Sequence, residues 1–546
     1  MSVRVFRNGT VFTADAAGSI AAAVAVRDGR IVAVGGDADV APFLDQADEV
    51  VDLDGRLLTP GFHDAHAHPI QGGLERIRCD LSGMRDIAAY QQTIAAYAAA
   101  NPDAPWILGG GWSMEAFPGG TPTRELLDAV VSDRPVVLPN RDHHSSWANS
   151  RALEAAGIDE HTPDPADGRI ERDARGVPTG ALHEGAMDLV EAIAPMPTAD
   201  DHDRGLAAAQ AYLHGLGVVG WQDAWVLWGD DPATLHQTYL RAARAGDLTA
   251  HVSAALWWNR DCTSDGVASQ VEQMSRIRRE TPATDRYRVT SVKIMQDGVA
   301  ETFTAGMLEP YLDRHGHPTD NAGLSFLPAP LLNQVVAALD TAGFQVHFHA
   351  LGDRAVREVL DALARLPRRD ARHHLAHLQV VHPDDRARFH ALGATANLQA
   401  LWATHEPQMD ELTIPFLGAR RTGWQYPFRS LYDAGATLAM GSDWPVSSPD
   451  PWQAIHVAVN RTELEAPDGT PPLGAEEALP LAVALRAYTA GSAWVTGLER
   501  RSGTIAVGMD ADLVVCDRDP FLAPAVEIGR VRVEATYVAG NEVYRR

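Results

Sequence analysis

The sequence predicts an α/β protein built on a (β/α)8 barrel. Eight short apolar or β-prone segments recur along the middle of the chain, and helical stretches lie between some of them. Several of these segments end at a histidine or an aspartate, as expected where barrel strands deliver polar groups to the C-terminal face. The β-rich texture of both termini predicts a further small sheet domain that combines the two ends of the chain.

The size and composition of the chain are those of a globular protein larger than one small domain. It has 546 residues, of which 45% are hydrophobic and 22% are charged, so a sizeable core can form. The formal net charge of −26 disfavours nucleic acid as a partner, because binding it requires basic patches. Three cysteines without CxxC spacing predict no disulfide framework. Since no signal-like N-terminus and no apolar run approaching ~20 residues is present, we expect a cytoplasmic protein without a membrane partner.

The terminal segments have the pattern of short strands joined by tight turns. Asp28-Gly29 lies between two apolar runs, which predicts a β-hairpin. Similar β-rich segments return after residue 500. We therefore predict a composite β domain from residues 1–59 and 500–546, with the barrel in residues 60–499.

The barrel strands are predicted from eight segments in chain order. The first ends near His68, and the others are Val218–Ala224, Ala250–Trp257, Val289–Met295, Gln345–Ala350, His374–Val380, Ala394–Gln399 and Thr437–Gly441. Residues 71–216 contain helical and turn-rich stretches without an obvious barrel strand. We interpret them as an insertion after strand 1, forming a cap or side domain, because long insertions of this kind are often functional.

Histidines at the ends of three predicted strands form a candidate metal site. His66 and His68 are separated by one residue, so both can face the same way on a strand. His349 and His377 each end another strand, and neutral imidazole is the commonest protein ligand for zinc-like ions. Each of these histidines alone could be structural. His347 is a rival to His349, because residues two apart on a strand share a face.

An aspartate and a lysine extend the candidate site. Asp443 ends the last predicted strand in the run Gly-Ser-Asp-Trp-Pro, where a carboxylate could hold a water and move its proton. The alternative is an N-cap for the next helix. Lys293 has apolar neighbours, and burying its charge is costly. A neutral lysine can react with CO2 to give a carbamate that bridges two metals, whereas a snorkelling lysine, or one paired with Asp297, is the open alternative.

The ordered set of ligands resembles the amidohydrolase superfamily. Six runs are similar to its family-3 branch, which includes the N-substituted formamide deformylases: Pro60–Pro69, Lys293–Gly298, His349–Val356, Arg372–Gln379, Gly441–Val446 and Tyr488–Ala493. Gly503–Val515 resembles the superfamily's return into its β domain. The resemblance covers essentially the whole chain. It implies a distorted TIM (β/α)8 barrel with a small β-sandwich built from both termini.

The resemblance also implies site residues and a cofactor. It implies one or two divalent ions, usually zinc, at the strand tips, and Lys293 matches the place where many members carry a carboxylated lysine. The residues that take metal-site roles by position are His66, His68, Lys293, His349, His377 and Asp443. The candidate substrate contacts are Trp112, His144, Asn149, Glu184, Gln296, Asp297, Gln399 and Arg429, each with a structural role as its alternative.

Together with the resemblance, these residues predict a metal-dependent amidohydrolase that cleaves a non-peptide C–N bond of a small molecule. The metal would lower the pKa of water toward ~7, and Asp443 would move the proton to the leaving amine. The metal and a nearby donor, either His349 or another pocket residue, would stabilise the oxyanion. A cyclic amidohydrolase, a deaminase, a carbamate or ester hydrolase, and a non-catalytic metal-stabilised binding protein stay open as alternatives. A homodimer also stays open.

Overall fold

The chain packs into two compact units. The computed structural model describes residues 2–165, 168–229, 231–282, 284–467 and 469–546. The barrel unit comprises Met1–Ala67, Ala211–Asp443 and Ser448–Arg546, and the insertion unit comprises His68–Gln210 and Trp444–Ser447. In the described part of the chain, every helix is too short or too polar to cross a bilayer. The domain limits expected from the sequence stay predictions.

Eight parallel strands form the barrel, which confirms the predicted fold class. In chain order they are β1 (Phe62–Ala67), β2 (Val218–Val226), β3 (His251–Trp257), β4 (Tyr287–Met295), β5 (Gln345–Ala350), β6 (His374–His377), β7 (Thr395–Leu398) and β8 (Thr437–Met440). Each strand pairs with the next one. Beyond the end of β8, the Asp443 N–H donates to the His66 carbonyl on β1 at 2.7 Å, so the barrel is nearly closed.

The strand β6 is three residues shorter than predicted. β6 ends at His377 rather than at Val380, because His377 and Leu378 have left-handed φ values of 81° and 49°. Backbone in this region leaves the extended conformation of a strand. The turn lies where β6 presents a predicted ligand, so this difference bears on the site.

Helices alternate with the barrel strands. In the helix Asp353–Ala364, the residues Val356, Val359, Leu360 and Leu363 are buried, and their spacing places them on one apolar face. The other helices that lie within the barrel unit are Asp37–Leu44, Leu235–Ala245, Val267–Glu280, Ala329–Thr341, Pro383–Leu392, Ile414–Thr422, Phe428–Asp433, Pro451–Asn460, Leu481–Arg486 and Ser492–Val495. The helix Ala199–Gly215 leads the chain from the insertion unit into the barrel unit.

Both termini build the small β domain, as predicted. One sheet has four strands in the order Arg30–Gly35, Ala23–Arg27, Val3–Arg7 and Glu49–Asp52. The other has six strands in the order Asn541–Arg545, Val533–Val538, Leu513–Cys516, Leu57–Pro60, Thr10–Phe12 and Ile20–Ala21. Phe6, Leu58 and Tyr537 belong to the shared core. The predicted hairpin is present, and Asp28 and Gly29 have φ values of 49° and 77°, which a two-residue type I′ turn requires.

The insertion unit contains its own six-stranded sheet. The strand order is Gly168–Arg172, Pro178–Glu184, Ser145–Ala148, Val136–Pro139, Ile107–Gly110 and Cys79–Asp80. The helices are Pro69–Ile77, Ile87–Ala100, Arg124–Asp128, Ser150–Ala156 and Asp188–Glu191. The sequence analysis did not anticipate this sheet, because its strands are two to seven residues long and so carry little periodic signal.

A buried contact between a histidine and an aspartate joins β3 to the terminal β domain within the barrel unit. His251 Nε2 lies 3.0 Å from Asp512 Oδ2, and the Ala539 N–H donates to Asp512 Oδ1 at 2.7 Å. Burial acts to raise the pKa of Asp512, but His251 and hydrogen bonds from Ser502 and the Ala539 N–H outweigh it, so the pKa lies below its usual range. Asp512 is therefore a stabilising carboxylate at neutral pH.

Asp512→Asn is expected to lower the free energy of unfolding by about 2 kcal/mol at pH 7, because the buried His251 ring and the Ala539 N–H would lose the carboxylate that they contact. The difference should shrink as the pH falls below about 4, since a carboxyl whose folded pKa is lowered stabilises only above its unfolded pKa. Urea denaturation at pH 7 and at about pH 3.5 measures both effects. Asp517→Asn is the control, because Asp517 pairs with a half-exposed Arg518 and such pairs contribute below ~1 kcal/mol. Equal midpoints for wild type and Asp512→Asn at pH 7 would contradict the prediction.

Candidate metal centre

The strand tips gather five residues of the predicted site in the interior of the barrel unit. His66, Lys293, His349 and His377 lie on β1, β4, β5 and β6, and Asp443 follows β8. All five are buried, and none is more than 8% exposed. Polar side chains at the C-terminal ends of barrel strands are where this fold carries out its chemistry.

His377 reaches this group because of the turn that ends β6. In the strand ladder, His349 lies beside Ala376, and His377 lies beside Ala350. Strand periodicity alone would therefore send His349 and His377 to opposite faces of the sheet. The left-handed backbone of His377 redirects its side chain, and the centroids of the two imidazole rings lie 4.5 Å apart.

The Asp443 carboxylate lies between two of the histidines. Its Oδ1 is 3.1 Å from His66 Nε2, and its Oδ2 is 3.9 Å from His377 Nδ1. Lys293 Nζ lies 3.4 Å from the same His66 nitrogen. The group therefore presents imidazole nitrogens, one carboxylate and one amine within a small volume.

The residues of this group fit a divalent cation. Neither ring nitrogen of His377 has a hydrogen-bond partner among the described residues, although the ring is 1% exposed. A buried polar atom without a partner is costly, and a metal ion would use such a nitrogen. Two or more imidazoles with a carboxylate are a donor set that zinc prefers.

His68 lies two residues beyond His66, where the insertion unit begins. It precedes the helix Pro69–Ile77, and its N–H donates to the Trp444 carbonyl at 2.7 Å. Its role as a ligand stays a prediction.

Asp297 holds His349 in place. Its Oδ1 accepts from the Leu351 N–H at 3.0 Å and lies 3.3 Å from His349 Nδ1. Its Oδ2 accepts from the N–H groups of Gly306 and Gly352, each at 2.9 Å. These contacts account for the complete burial of Asp297 and favour a supporting role over the predicted contact with substrate.

His347, the rival of His349, faces a different atom. Its Nε2 lies 2.9 Å from His66 Nδ1, whereas His349 lies against His377. Burial lowers the pKa of His347 well below its usual value, and His374 and Lys293 add to that effect. The structure thus separates two histidines that the sequence could not distinguish.

Comparisons with known proteins agree with this geometry. A family model described as the amidohydrolase family matches residues 49–544. The chain belongs to the amidohydrolase family. It is 30% identical to the putative amidohydrolase YtcJ of Bacillus subtilis over 99% of both chains. It is 27% identical to the N-substituted formamide deformylase of Arthrobacter pascens over 99% of this chain and 98% of that protein.

A solved structure shares the fold of this amidohydrolase. It is an uncharacterized metal-dependent hydrolase from Pyrococcus horikoshii, with a TM-score of 0.75 and 24% identity over 96% of this chain and 99% of that one. Together with the family membership, the site geometry supports a metal-dependent hydrolase.

Asp64 is a residue of the amidohydrolase site that the sequence analysis missed. Its Oδ2 accepts from Ser442 Oγ at 2.6 Å, and its Oδ1 accepts from the N–H groups of Ser442 and His66 at 3.0 Å. Burial raises its pKa to about 7 against these hydrogen bonds. Asp64 thus ties β1 to the segment that carries Asp443. The sequence signal that could have identified Asp64 is its spacing of two residues from His66, because residues two apart on a strand face the same way.

Lys293 is the only lysine in the sequence of this amidohydrolase, and all its other Lys or Arg residues are arginines. Burial lowers its pKa to about 7, and the nearby Asp443 opposes this shift. A neutral amine is therefore present at neutral pH. Arginine stays protonated and cannot supply such a group.

Two of the predicted substrate-contact residues make hydrogen bonds to the backbone within the insertion unit. Trp112 is fully buried, and its Nε1 donates to the Leu138 carbonyl at 2.7 Å. Asn149 caps the helix that follows it, since its Oδ1 accepts from the N–H groups of Ala152 and Val136, while its Nδ2 donates to two carbonyls. These hydrogen bonds give both side chains a structural role, and their contact with substrate stays a prediction.

His144 and Glu184 lie together in the insertion unit. His144 Nδ1 is 2.9 Å from Glu184 Oε1, and the Glu184 N–H donates to the His144 carbonyl at 3.2 Å. Glu184 has a left-handed φ of 49°, which is uncommon for a residue other than glycine. The pair keeps its predicted substrate role.

Three further predicted contacts lie in the barrel unit. Gln399 Oε1 accepts from the His377 N–H at 2.6 Å, which fixes the turn that ends β6. Gln296 is buried, and its Nε2 donates to Glu358 at 2.7 Å. Arg429 pairs with the aspartate four residues later on a partly exposed helix face. The contact of Gln399 with a candidate ligand favours a supporting role, and the ion pair of Arg429 accounts for it without a substrate.

Proposed function

We propose that this amidohydrolase cleaves the C–N bond of a non-peptide amide in a small molecule. The observation that supports this most directly is the Asp443 carboxylate between His66 and His377 at the strand tips. One relative is named for N-substituted formamides, which are small amides of this class. The proposal includes a cytoplasmic protein that acts without nucleic acid or membrane, either as a monomer or as a homodimer.

The proposed cofactor is one or two zinc ions. The residues that would hold them are His66, His68, His349, His377 and Asp443, with Lys293 available as a carbamate between two ions. Bound there, a divalent ion would supply Lewis-acid polarisation of the carbonyl and make water acidic near neutral pH.

The protein's own groups would orient the reactants and move the proton. Asp443 would accept a proton from the attacking water at a carboxylate oxygen and give it to the leaving nitrogen, which must depart as a neutral amine. Asp297 fixes His349 through Nδ1, so His349 would act through Nε2, as a ligand or as a donor to the developing oxyanion.

The purified protein is expected to contain one or two divalent ions per chain, chiefly zinc, because the donor set has imidazole and carboxylate in a buried site. Elemental analysis measures this content. Removal of the ions with a chelator should abolish hydrolysis, and adding Zn, Mn or Co should restore it.

The substrate panel for this test is N-formyl amines, hydantoin-like rings, aminated heterocycles, carbamates and esters. Faster turnover of the N-formyl amines than of the other classes would support cleavage of the proposed C–N bond. Faster turnover of another class would show that the enzyme cleaves the bond of that class instead. Protein without metal, and without any gain of activity on adding the three ions, would contradict the proposal.

A further inference from the structure

The two ring nitrogens of His66 have different surroundings. Nε2 lies 3.1 Å from Asp443 Oδ1 and 3.4 Å from Lys293 Nζ. Nδ1 lies 2.9 Å from Nε2 of His347. The His66 and His347 rings meet edge to face, with centroids 4.6 Å apart, and His347 is fully buried. One nitrogen of His66 therefore belongs to the candidate metal centre, and the other is engaged by His347.

We propose that His347 is a positioning residue that sets the tautomer of His66 and so directs Nε2 of His66 toward the metal. This inference rests on the proposed metal site. An imidazole that binds a cation through Nε2 carries its proton on Nδ1. His66 Nδ1–H then donates to His347 Nε2, and the proton of His347 lies on its own Nδ1. The opposite arrangement would place a proton on His66 Nε2 and block binding there.

The β5 strand makes His347 a rigid acceptor. In the ladder, His347 lies beside Lys293 on β4 and beside His374 on β6, and the His374 ring centroid is 4.0 Å away. A side chain from the middle of a packed strand has little freedom to turn, so it can hold a neighbouring imidazole in one orientation.

In both His349 and His66, a neighbouring side chain engages Nδ1, but the two neighbouring groups differ. Asp297 engages Nδ1 of His349, and His347 engages Nδ1 of His66. A carboxylate makes a ligating imidazole more basic, whereas a neutral imidazole orients it without adding negative charge. Since Asp64 and Asp443 already lie next to His66, a neutral partner limits the charge buried at this place.

The test compares His347→Leu with His347→Gln. Leucine cannot accept the proton of His66 Nδ1, whereas the amide oxygen of glutamine can. We expect His347→Leu to weaken the apparent Kd for Zn2+ by about 10–100-fold, measured by competition with a chromophoric chelator. The visible absorption spectrum of the Co2+-loaded protein should also change. His347→Gln should recover most of both properties, and the number of ions bound at saturating Zn2+ should equal that of wild type.

His456→Leu is the matched control, because it removes a buried histidine on the helix Pro451–Asn460 and should leave the Kd and the Co2+ spectrum unchanged. Thermal unfolding of the metal-free proteins checks folding, and His347→Asn, whose amide is too short to reach His66, replaces His347→Leu if that variant does not fold. A wild-type Kd and spectrum in the variant without an acceptor would overturn the inference. Equal weakening by His347→Gln or His456→Leu, or loss of a bound ion at saturating metal, would also overturn it. Wild-type protein that binds no metal would instead refute the proposed function.

Discussion

Asp443→Asn is expected to lower kcat by about two to four orders of magnitude while the protein stays folded and keeps most of its metal. The amide of asparagine matches the carboxylate in shape but cannot take up a proton from water and return it to the leaving nitrogen. Its oxygen can still serve as a ligand beside His66 and His377. Steady-state kinetics, elemental analysis and thermal unfolding of the same preparation measure the three quantities.

Asp450→Asn is the matched control for this variant. Asp450 is also a buried carboxylate, and its Oδ1 accepts from the Trp452 N–H at 2.9 Å as the cap of the helix Pro451–Asn460. Asparagine caps helices as well as aspartate, so kcat should stay near that of wild type. A kcat for Asp443→Asn within tenfold of wild type would show that another group moves the proton.

Lys293→Ala is expected to remove one bound ion per chain and most of the activity. Two divalent ions held by four histidines and one aspartate would leave uncompensated positive charge in a buried site, and a carbamate on Lys293 would supply the missing negative charge. Since burial lowers the pKa of Lys293 to about 7, the neutral amine that reacts with CO2 is present at neutral pH. Elemental analysis and kinetics measure the loss, and short-chain carboxylates should partly restore both.

The single lysine of the chain makes the carbamate directly observable. Growth or incubation with 13C-bicarbonate should give one carbamate signal from a lysine side chain in the 13C NMR spectrum, and Lys293→Ala should lack it. Lys293→Arg is the second variant, because its guanidinium stays protonated and cannot form the carbamate. Unmodified Lys293 beside two fully occupied metals would refute the prediction. Unmodified Lys293 beside one metal would indicate a mononuclear site in which Asp443 and His349 keep their roles.

Much of the barrel was predictable because its signals are local. Each strand is a short run rich in apolar or β-branched residues, and the Asp28-Gly29 turn is recognisable because its left-handed angles suit those two residues. The sheet of the insertion unit was not predictable in this way. Strands as short as Cys79–Asp80 have no measurable periodicity, and their pairing depends on contacts made after the chain has folded.

The candidate site, too, was predictable from the sequence only in part. The sequence by itself indicated that His66, Lys293, His349, His377 and Asp443 lie in or just after barrel strands, since the apolar runs that mark the strands are local. Only the tertiary structure decided that a left-handed turn redirects His377, that His347 engages His66, and that Asp297 holds His349. The physical reason is that a hydrogen-bond partner is selected by distance in space. His66 and His347 are 281 positions apart in the chain, and no local pattern records that they meet.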